Sequence, residues 1–213
     1  MVHAGFEQPP ESVGPRGRFS VRNHYLSSDG TRTVCEEVCR YTFEAREESY
    51  LIDWDSTFSS NEADFYFGDQ EEMGLGVRVA TDLREAGGTG RILNSAAARG
   101  AKTTWGKPAS WCDYSGTSGD RVGVTIMTSP DNYRPSWWHN RDYGLSVANL
   151  FGREAMRQGP PSKIVVKRGE KFRLRYGVLL HVSRESPFDP GEQYQRYVDA
   201  LRRQPANSAA PKR

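Results

Sequence analysis

Three cysteines in 213 residues are too few for a disulfide framework. Cys35 and Cys39 sit in an extended-reading segment, about 13 Å apart at strand rise. A bridge between them needs Cα atoms within ~7 Å, so free thiols are expected, and neither cysteine has a partner at zinc spacing. There are only four histidines, with no His-x-His or His-x-x-x-His pair, so no metal site is expected. No cofactor motif is present either: Gly74-x-Gly76 does not open a helix, and no Gly-x-Ser-x-Gly elbow occurs. Charge of one sign is also missing. The 29 basic and 27 acidic residues leave a net +2, which argues against a nucleic-acid partner. No run approaches the ~20 apolar residues that span a bilayer, so no membrane partner is expected. The first residues lack the basic and apolar regions of a signal peptide. A cytoplasmic location follows by default, unless the true start lies further upstream.

Alternation with period two fills much of what remains. Phe19, Val21, Asn23 and Tyr25 share one parity; Cys39, Tyr41 and Phe43 form a second stripe, and Ile52, Trp54, Ser56 and Phe58 a third. Val122, Val124 and Ile126 follow, and Phe172, Leu174, Tyr176, Val178 and Leu180 make the longest clean stripe. Runs rich in β-branched and aromatic residues, bounded by Gly, Pro, Asp or Ser, read as strands. Turns are expected at Ser28-Asp29-Gly30, Gly87-Gly88, 116–119 and 167–170. With no strand–helix–strand alternation, the expectation is an all-β, antiparallel β-sandwich. One short C-terminal helix is expected after Asp189-Pro190, from the spacing of Tyr194, Tyr197, Val198 and Leu201. The division is therefore a sandwich over 1–188 and a helix with a disordered tail over 189–213. The Pro- and Gly-rich stretch 8–16 reads as irregular.

Three segments concentrate polar and aromatic groups. In 67–78, Asp69, Gln70, Glu71 and Glu72 lie among glycines 68, 74 and 76, which let another backbone or a ligand approach. Crowded carboxylates favour one that keeps its proton, as a general acid or base requires; the alternative is a solvated acidic turn. In 105–116, Trp105 and Trp111 flank Lys107, and Asp113 and Tyr114 follow. Indole rings can stack on a sugar while Lys, Asp and Tyr bond its hydroxyls, or the rings can plug the ends of a sheet. In 131–143, Arg134, Trp137, Trp138, His139 and Arg141 come together. A histidine titrates near neutrality and arginines recognise oxyanions, although Arg141-Asp142 also fits a structural ion pair. His181 shares a strand face with Arg173 and Arg175, and reads as part of the solvent side of the sheet rather than an anion-binding cleft.

The motifs Leu51-Ile52-Asp53-Trp54, Phe67-Gly68-Asp69-Gln70-Glu71-Glu72-Met73-Gly74, Trp105-Gly106-Lys107-Pro108 with Trp111-Cys112-Asp113-Tyr114, and Arg134-Pro135-Ser136-Trp137-Trp138-His139 together resemble the bacterial PmoA-like family, over roughly 1–183. The methane-oxygenase label of that family does not suit a chain without spanning segments. The resemblance implies part of a galactose-mutarotase-like supersandwich and, by association, carbohydrate chemistry. It also implies an upstream His-Pro-His-His stretch that this sequence lacks, so an N-terminally truncated member is expected.

The leading expectation is a carbohydrate-processing enzyme of hydrolase, lyase or epimerase type. Glu71 or Glu72 would be the general base and His139 the general acid. Trp105, Trp111, Trp137 and Trp138 would wall the substrate, Arg78, Arg134 and Arg141 would hold a hydroxyl or carboxylate, and Lys107, Asp113 and Tyr114 would bond hydroxyls. A non-catalytic carbohydrate-binding sandwich uses the same tryptophans without the acid–base pair. A third reading is a protein in which the aromatics only pack. Either of the first two implies a small-molecule or glycan partner.

Overall fold

The computed structural model describes residues 1–184 and 188–203. The tail expected from 204 onward lies outside the described residues. Strands follow the order β1 (Val2–Val13), β2 (Arg16–Leu26), β3 (Thr33–Arg46), β4 (Ser49–Ser59), β5 (Phe65–Phe67), β6 (Leu75–Arg78) and β7 (Arg91–Asn94). After a four-residue helix, α1 (Ala101–Thr104), come β8 (Trp111–Ser118), β9 (Asp120–Thr128), β10 (Trp137–Asn140), β11 (Leu145–Asn149), β12 (Ile164–Val166), β13 (Lys171–Ser183) and the terminal α2 (Pro190–Arg203). Eight strands form one sheet in the order β1-β2-β3-β4-β13-β9-β8-β7; a second sheet is β10-β11-β6, and β12 pairs with β5. Each of these pairings is antiparallel.

The five alternating stripes fall in β2, β3, β4, β9 and β13. Alternation decides which side of each strand is buried. Phe172, Leu174, Tyr176 and Val178 of β13 point into the main core with Ile126, Trp138, Leu150 and Phe151. Leu179, of opposite parity, joins Leu51, Trp111, Met127 and Tyr197 in a second cluster beneath α2. Gly177 makes that docking possible, because a Cβ there would meet the Tyr197 ring at 3.0 Å. Asp189 caps α2, its Oδ1 accepting from the Gly191 and Glu192 amides at 2.8 and 3.3 Å.

Two expectations need correction. The stretch 8–16 is not irregular: β1 runs through Pro9 and Pro10 to Val13 and turns into β2. An edge strand tolerates proline, since one side of its ladder is open, and the register shifts between Gln8 and Glu11 where the prolines fall. His181 is not on a solvent face either. It is only 6% exposed, and the Phe188 ring stacks on it at 3.5 Å. On the same face Arg173 and Arg175 pair with Asp55 and Asp53.

Cys35 and Cys39 are free, as expected, as is Cys112, and all three are buried. Burial pushes the Cys112 thiol up to about 12 and the Cys35 and Cys39 thiols up to about 11, so all three are poor nucleophiles. The two layers leave an apolar groove of about 590 Å³ between β2–β4, β9 and β13 on one side and β6 on the other. Among the described residues, no helix is long and apolar enough to cross a membrane.

Candidate active site on the outward face of the small sheet

Parity along β10 separates core from site. Trp138 and Asn140 point inward: Trp138 is fully buried and Asn140 is 1% exposed. Asn140 donates to Thr104 Oγ1 at 2.8 Å and to Cys112 Sγ at 3.3 Å, and accepts from Ser146 Oγ at 2.7 Å. This buried polar network ties α1, β8, β10 and β11 together. Trp137, His139 and Arg141 therefore take the opposite parity.

The acidic segment 69–72 folds over that outward face and is held there by specific bonds. Asp69 accepts from the amides of Glu154, Ala155 and Ser162 at 3.0, 3.0 and 2.7 Å. Burial alone raises the affinity of Asp69 for a proton, but the three amides outweigh it and hold the carboxyl below its usual range. Asn149, fully buried, donates to the carbonyls of Gln70 and Glu71 at 2.7 and 2.8 Å. Its Oδ1 accepts from the amides of Phe151 and Gly152 at 2.6 and 2.9 Å. Two glycines clear the space. Gly74 has φ +120° and a Cβ there would lie 2.2 Å from the Ala148 carbonyl oxygen; a Cβ on Gly152 would lie 2.3 Å from that of Gln70.

Five side chains consequently meet. Glu71 Oε1 accepts from Arg141 Nη2 at 2.7 Å and from Trp105 Nε1 at 3.1 Å, and lies 3.1 Å from His139 Nδ1. Arg141 Nε donates to His139 Nε2 at 3.2 Å, and Glu72 Oε1 is 3.5 Å from the same nitrogen. The Arg141 guanidinium also sits 5.9 Å from the centre of the Trp105 ring. These contacts select one tautomer. Nε2 takes a hydrogen bond from Arg141, so the proton sits on Nδ1 and is donated to Glu71. The Trp105 N–H, 3.3 Å from Nδ1, is then left with Glu71 Oε1 as its acceptor. Among the described residues, Glu71 Oε2 has no hydrogen-bond partner. Side-chain exposures of 35% for Glu71, 64% for Glu72 and 39% for Arg141 open the cluster to solvent, whereas the His139 side chain is at 0%.

His139 is thus a buried, neutral imidazole with both nitrogens engaged. Burial lowers its pKa below the ordinary 6.5; Glu71 opposes this, Arg141 reinforces it, and Glu72 opposes it. The unfolded chain takes up a proton near pH 6.5 and the folded protein resists doing so, so this group costs stability as pH falls below about 6.5. His139→Gln should flatten the decline of Tm with pH just below about 6.5, ahead of the carboxylates that titrate nearer 4. Thermal melts at stepped pH check this, and an unchanged slope in the variant would exclude the buried neutral imidazole as its source.

The other expected site residues lie outside this five-residue cluster, and only Trp137 and Arg134 flank it on the same face. Trp137 shares the outward face with His139 and carries the Arg134 guanidinium 5.2 Å from its ring centre. Arg134 Nε donates to the Leu150 carbonyl at 2.7 Å, while its buried Nη2 has no partner among the described residues. Trp138 is core, donating to the Ala109 carbonyl at 3.0 Å. Trp111 packs under α2. Tyr114 is 1% exposed, and its hydroxyl accepts from the Glu85 amide at 2.8 Å and donates to the Asp142 carbonyl at 3.1 Å. Asp113 faces the opposite side of the large sheet, where His181 and Thr125 hold it. Arg78 lines the apolar groove, 5.3 Å from the centre of the Tyr143 ring. Lys107 is exposed, and its side chain makes no bond among the described residues. The alternation that makes β8 and β10 strands sends Trp111 and Asp113 to one side and Cys112 and Tyr114 to the other, so a run that is compact in sequence is divided in space. Asn149, Asn140 and Thr104 were not singled out from sequence; an isolated Asn or Thr carries no signal until its partners are known.

The fold is an antiparallel β-sandwich, with a polar cluster of carboxylates, histidine, arginine and tryptophan on its three-stranded sheet. The chain belongs to the DUF6807 family, a family of unknown function, whose model matches residues 1–190. Nothing in that match links it to PmoA specifically. Among solved structures the chain is similar to a galactose mutarotase related enzyme from Lactobacillus acidophilus, at 12% identity and a TM-score of 0.35 over 87% of this chain and 74% of that one. It is similar also to the Slr1438 protein from Synechocystis sp. PCC 6803, at 12% identity and a TM-score of 0.35 over 84% of this chain and 66% of that one. A search of the curated proteins gives no match.

Proposed function

We propose that the protein is a carbohydrate-processing enzyme that works by proton transfer at Glu71, within the PmoA-like group that its motifs resemble. The observation that carries this reading is the asymmetry of the Glu71 carboxylate. Three donors converge on Oε1, while Oε2 makes no bond among the described residues and the side chain is partly open to solvent. A carboxylate anchored by one oxygen presents the other at a fixed place, as general acid–base work requires. Glu72 stands beside it as the second carboxylate. His139 is a positioning residue in this scheme, not the general acid: it is sealed from solvent and both its nitrogens are occupied. The half-buried Trp105 and Trp137 supply aromatic faces suited to the C–H face of a sugar ring, and Arg141 and Arg134 supply donors for its oxygens. Glu71 Oε2 would take a proton from a bound sugar as the bond to it breaks, and return it at the end of the cycle.

The test is a set of free sugars, uronates and glycosides incubated with the protein in D₂O and followed by NMR for product formation or solvent deuterium in the sugar. Turnover in the parent protein that Glu71→Gln removes is the expected result. Turnover that Glu71→Gln leaves intact, or an absence of turnover across the set, would sink the proposal. Saturable sugar binding without turnover, weakened by Trp105→Ala, would instead favour the non-catalytic carbohydrate-binding reading, to which the sealed His139 already lends weight.

A further inference from the structure

The opposite face of the large sheet carries a second polar hollow, of about 320 Å³, at the end where β7, β8, β9 and β13 run side by side. Strand register builds it. Arg91 pairs with Ser115, Ser115 with Gly123, and Gly123 with His181, so these four residues form one row across four strands. The next row on the same face is Leu93, Asp113, Thr125 and Leu179. On the other side, Arg121 pairs with both Thr117 and Ser183. Arg99 joins beyond the sheet edge through its bridge to Leu93. In the first row the two central residues are small, and the outer two are an arginine and a histidine roughly 14 Å apart at normal strand spacing. A recess between basic walls results.

Its charges are unbalanced. Arg91 spends Nη1 on the backbone carbonyls of Thr89 and Gly90. Arg99 and Arg121 make no ion pair or side-chain hydrogen bond among the described residues. Asp113 is the only carboxylate among the described residues lining the hollow, and it is already engaged, by His181 Nε2 at 2.9 Å and Thr125 Oγ1 at 2.6 Å. The His181 and Asp113 side chains are only 4% and 7% exposed. His181 Nδ1 is buried with no hydrogen-bond partner among the described residues, an arrangement that is costly unless something completes it. Gly123 is required beneath the ring, since a Cβ there would lie 2.6 Å from His181 Nε2.

We propose that this hollow binds a small metabolite carrying an oxyanion, a phosphate ester or carboxylate of about monosaccharide size, clamped by Arg91, Arg99 and Arg121 over the His181–Asp113 pair. Guanidinium groups without carboxylate partners suit oxyanions through paired N–H donors, and the volume lies at the lower end for small-molecule sites. The proposal is independent of the reading of Glu71.

Calorimetric titration tests it with inorganic phosphate, glucose 6-phosphate and glucuronate at constant ionic strength, and glucose as the neutral control. Expected is saturable one-to-one binding of at least one anion and none of glucose, with Kd raised tenfold or more in Arg91→Gln or Arg121→Gln. Both arginines are exposed, so the unliganded Tm of each variant should match the parent. Glu71→Gln should leave anion binding unchanged, and that arm separates this site from the one on the small sheet. The proposal is overturned if no anion binds saturably, if the arginine variants bind as well as the parent, or if Glu71→Gln abolishes binding.

Discussion

Trp138→Ala should destabilise the protein by about 3–5 kcal/mol, the range for emptying a large aromatic site in a packed core. The residue is fully buried and belongs to the main cluster with Ile126, Leu150, Phe151 and Tyr176. Its indole donates to the Ala109 carbonyl, so truncation strands a polar group as well as opening a void. In a domain of this size each kcal/mol moves Tm by roughly 2–4 °C, so a fall of about 10 °C is expected. Trp138→Phe keeps most of the volume and loses the hydrogen bond, and should recover more than half of the loss. Differential scanning calorimetry on the two variants checks both. A Trp138→Ala change under about 1 kcal/mol, the size of an ordinary surface effect, would mean that the small sheet does not share the main core. That outcome would also loosen the site, because Trp138 is adjacent in sequence to His139 and anchors the inward face of the same strand.

Much of the fold was legible because burial on one face of a sheet imposes period two, and β2, β3, β4, β9 and β13 carry it openly. The edge strand was not. Pro9 and Pro10 are strand breakers in most settings, and only a place at the sheet edge, with a shifted register, accommodates them. His181 was misread for a related reason: parity gives the face but not what covers it, and here α2 and Phe188 return from the far end of the chain. The cluster on the small sheet was half legible. Glu71, Glu72, Trp105, His139 and Arg141 were all recognisable as unusual, and all five meet. Their grouping with Trp111, Asp113 and Tyr114 failed because neighbours along a strand point to opposite sides. The bonds that bring segment 69–72 over β10 come from the Asn149 side chain, itself held by the amides of 151 and 152, and from the amides of 154, 155 and 162 to Asp69. Most of these partners are backbone groups, and a single asparagine is no motif.

Asn149→Ala should be nearly as damaging as the loss of Trp138, through a different cause. One side chain makes four hydrogen bonds at a fully buried position: two to the carbonyls of Gln70 and Glu71 and two from the amides of Phe151 and Gly152. Alanine leaves the two amides without an acceptor in the core, and each buried unsatisfied group costs about 1–3 kcal/mol. The carbonyls belong to a partly exposed loop and can recruit water, so the total should be about 2–4 kcal/mol rather than the full sum. The consequence for the site is sharper than the stability change. Without its two backbone anchors the loop releases Glu71, and the Trp105 indole N–H loses its acceptor. In ¹⁵N–¹H spectra the Trp105 indole resonance should shift toward the solvent-exposed position and exchange faster. Gly152→Ala attacks the same loop from another side, since its new Cβ would strike the Gln70 carbonyl oxygen, and it should move the same resonance in the same direction. Trp138→Phe, which alters the core and not the loop, should leave it in place. Convergence of the two unrelated substitutions on one indole signal would establish that segment 69–72 is held as a unit over His139. An indole signal unmoved in both would mean that Glu71 stays at Trp105 without those anchors, and that the geometry of its carboxylate is set by Arg141 and His139 alone.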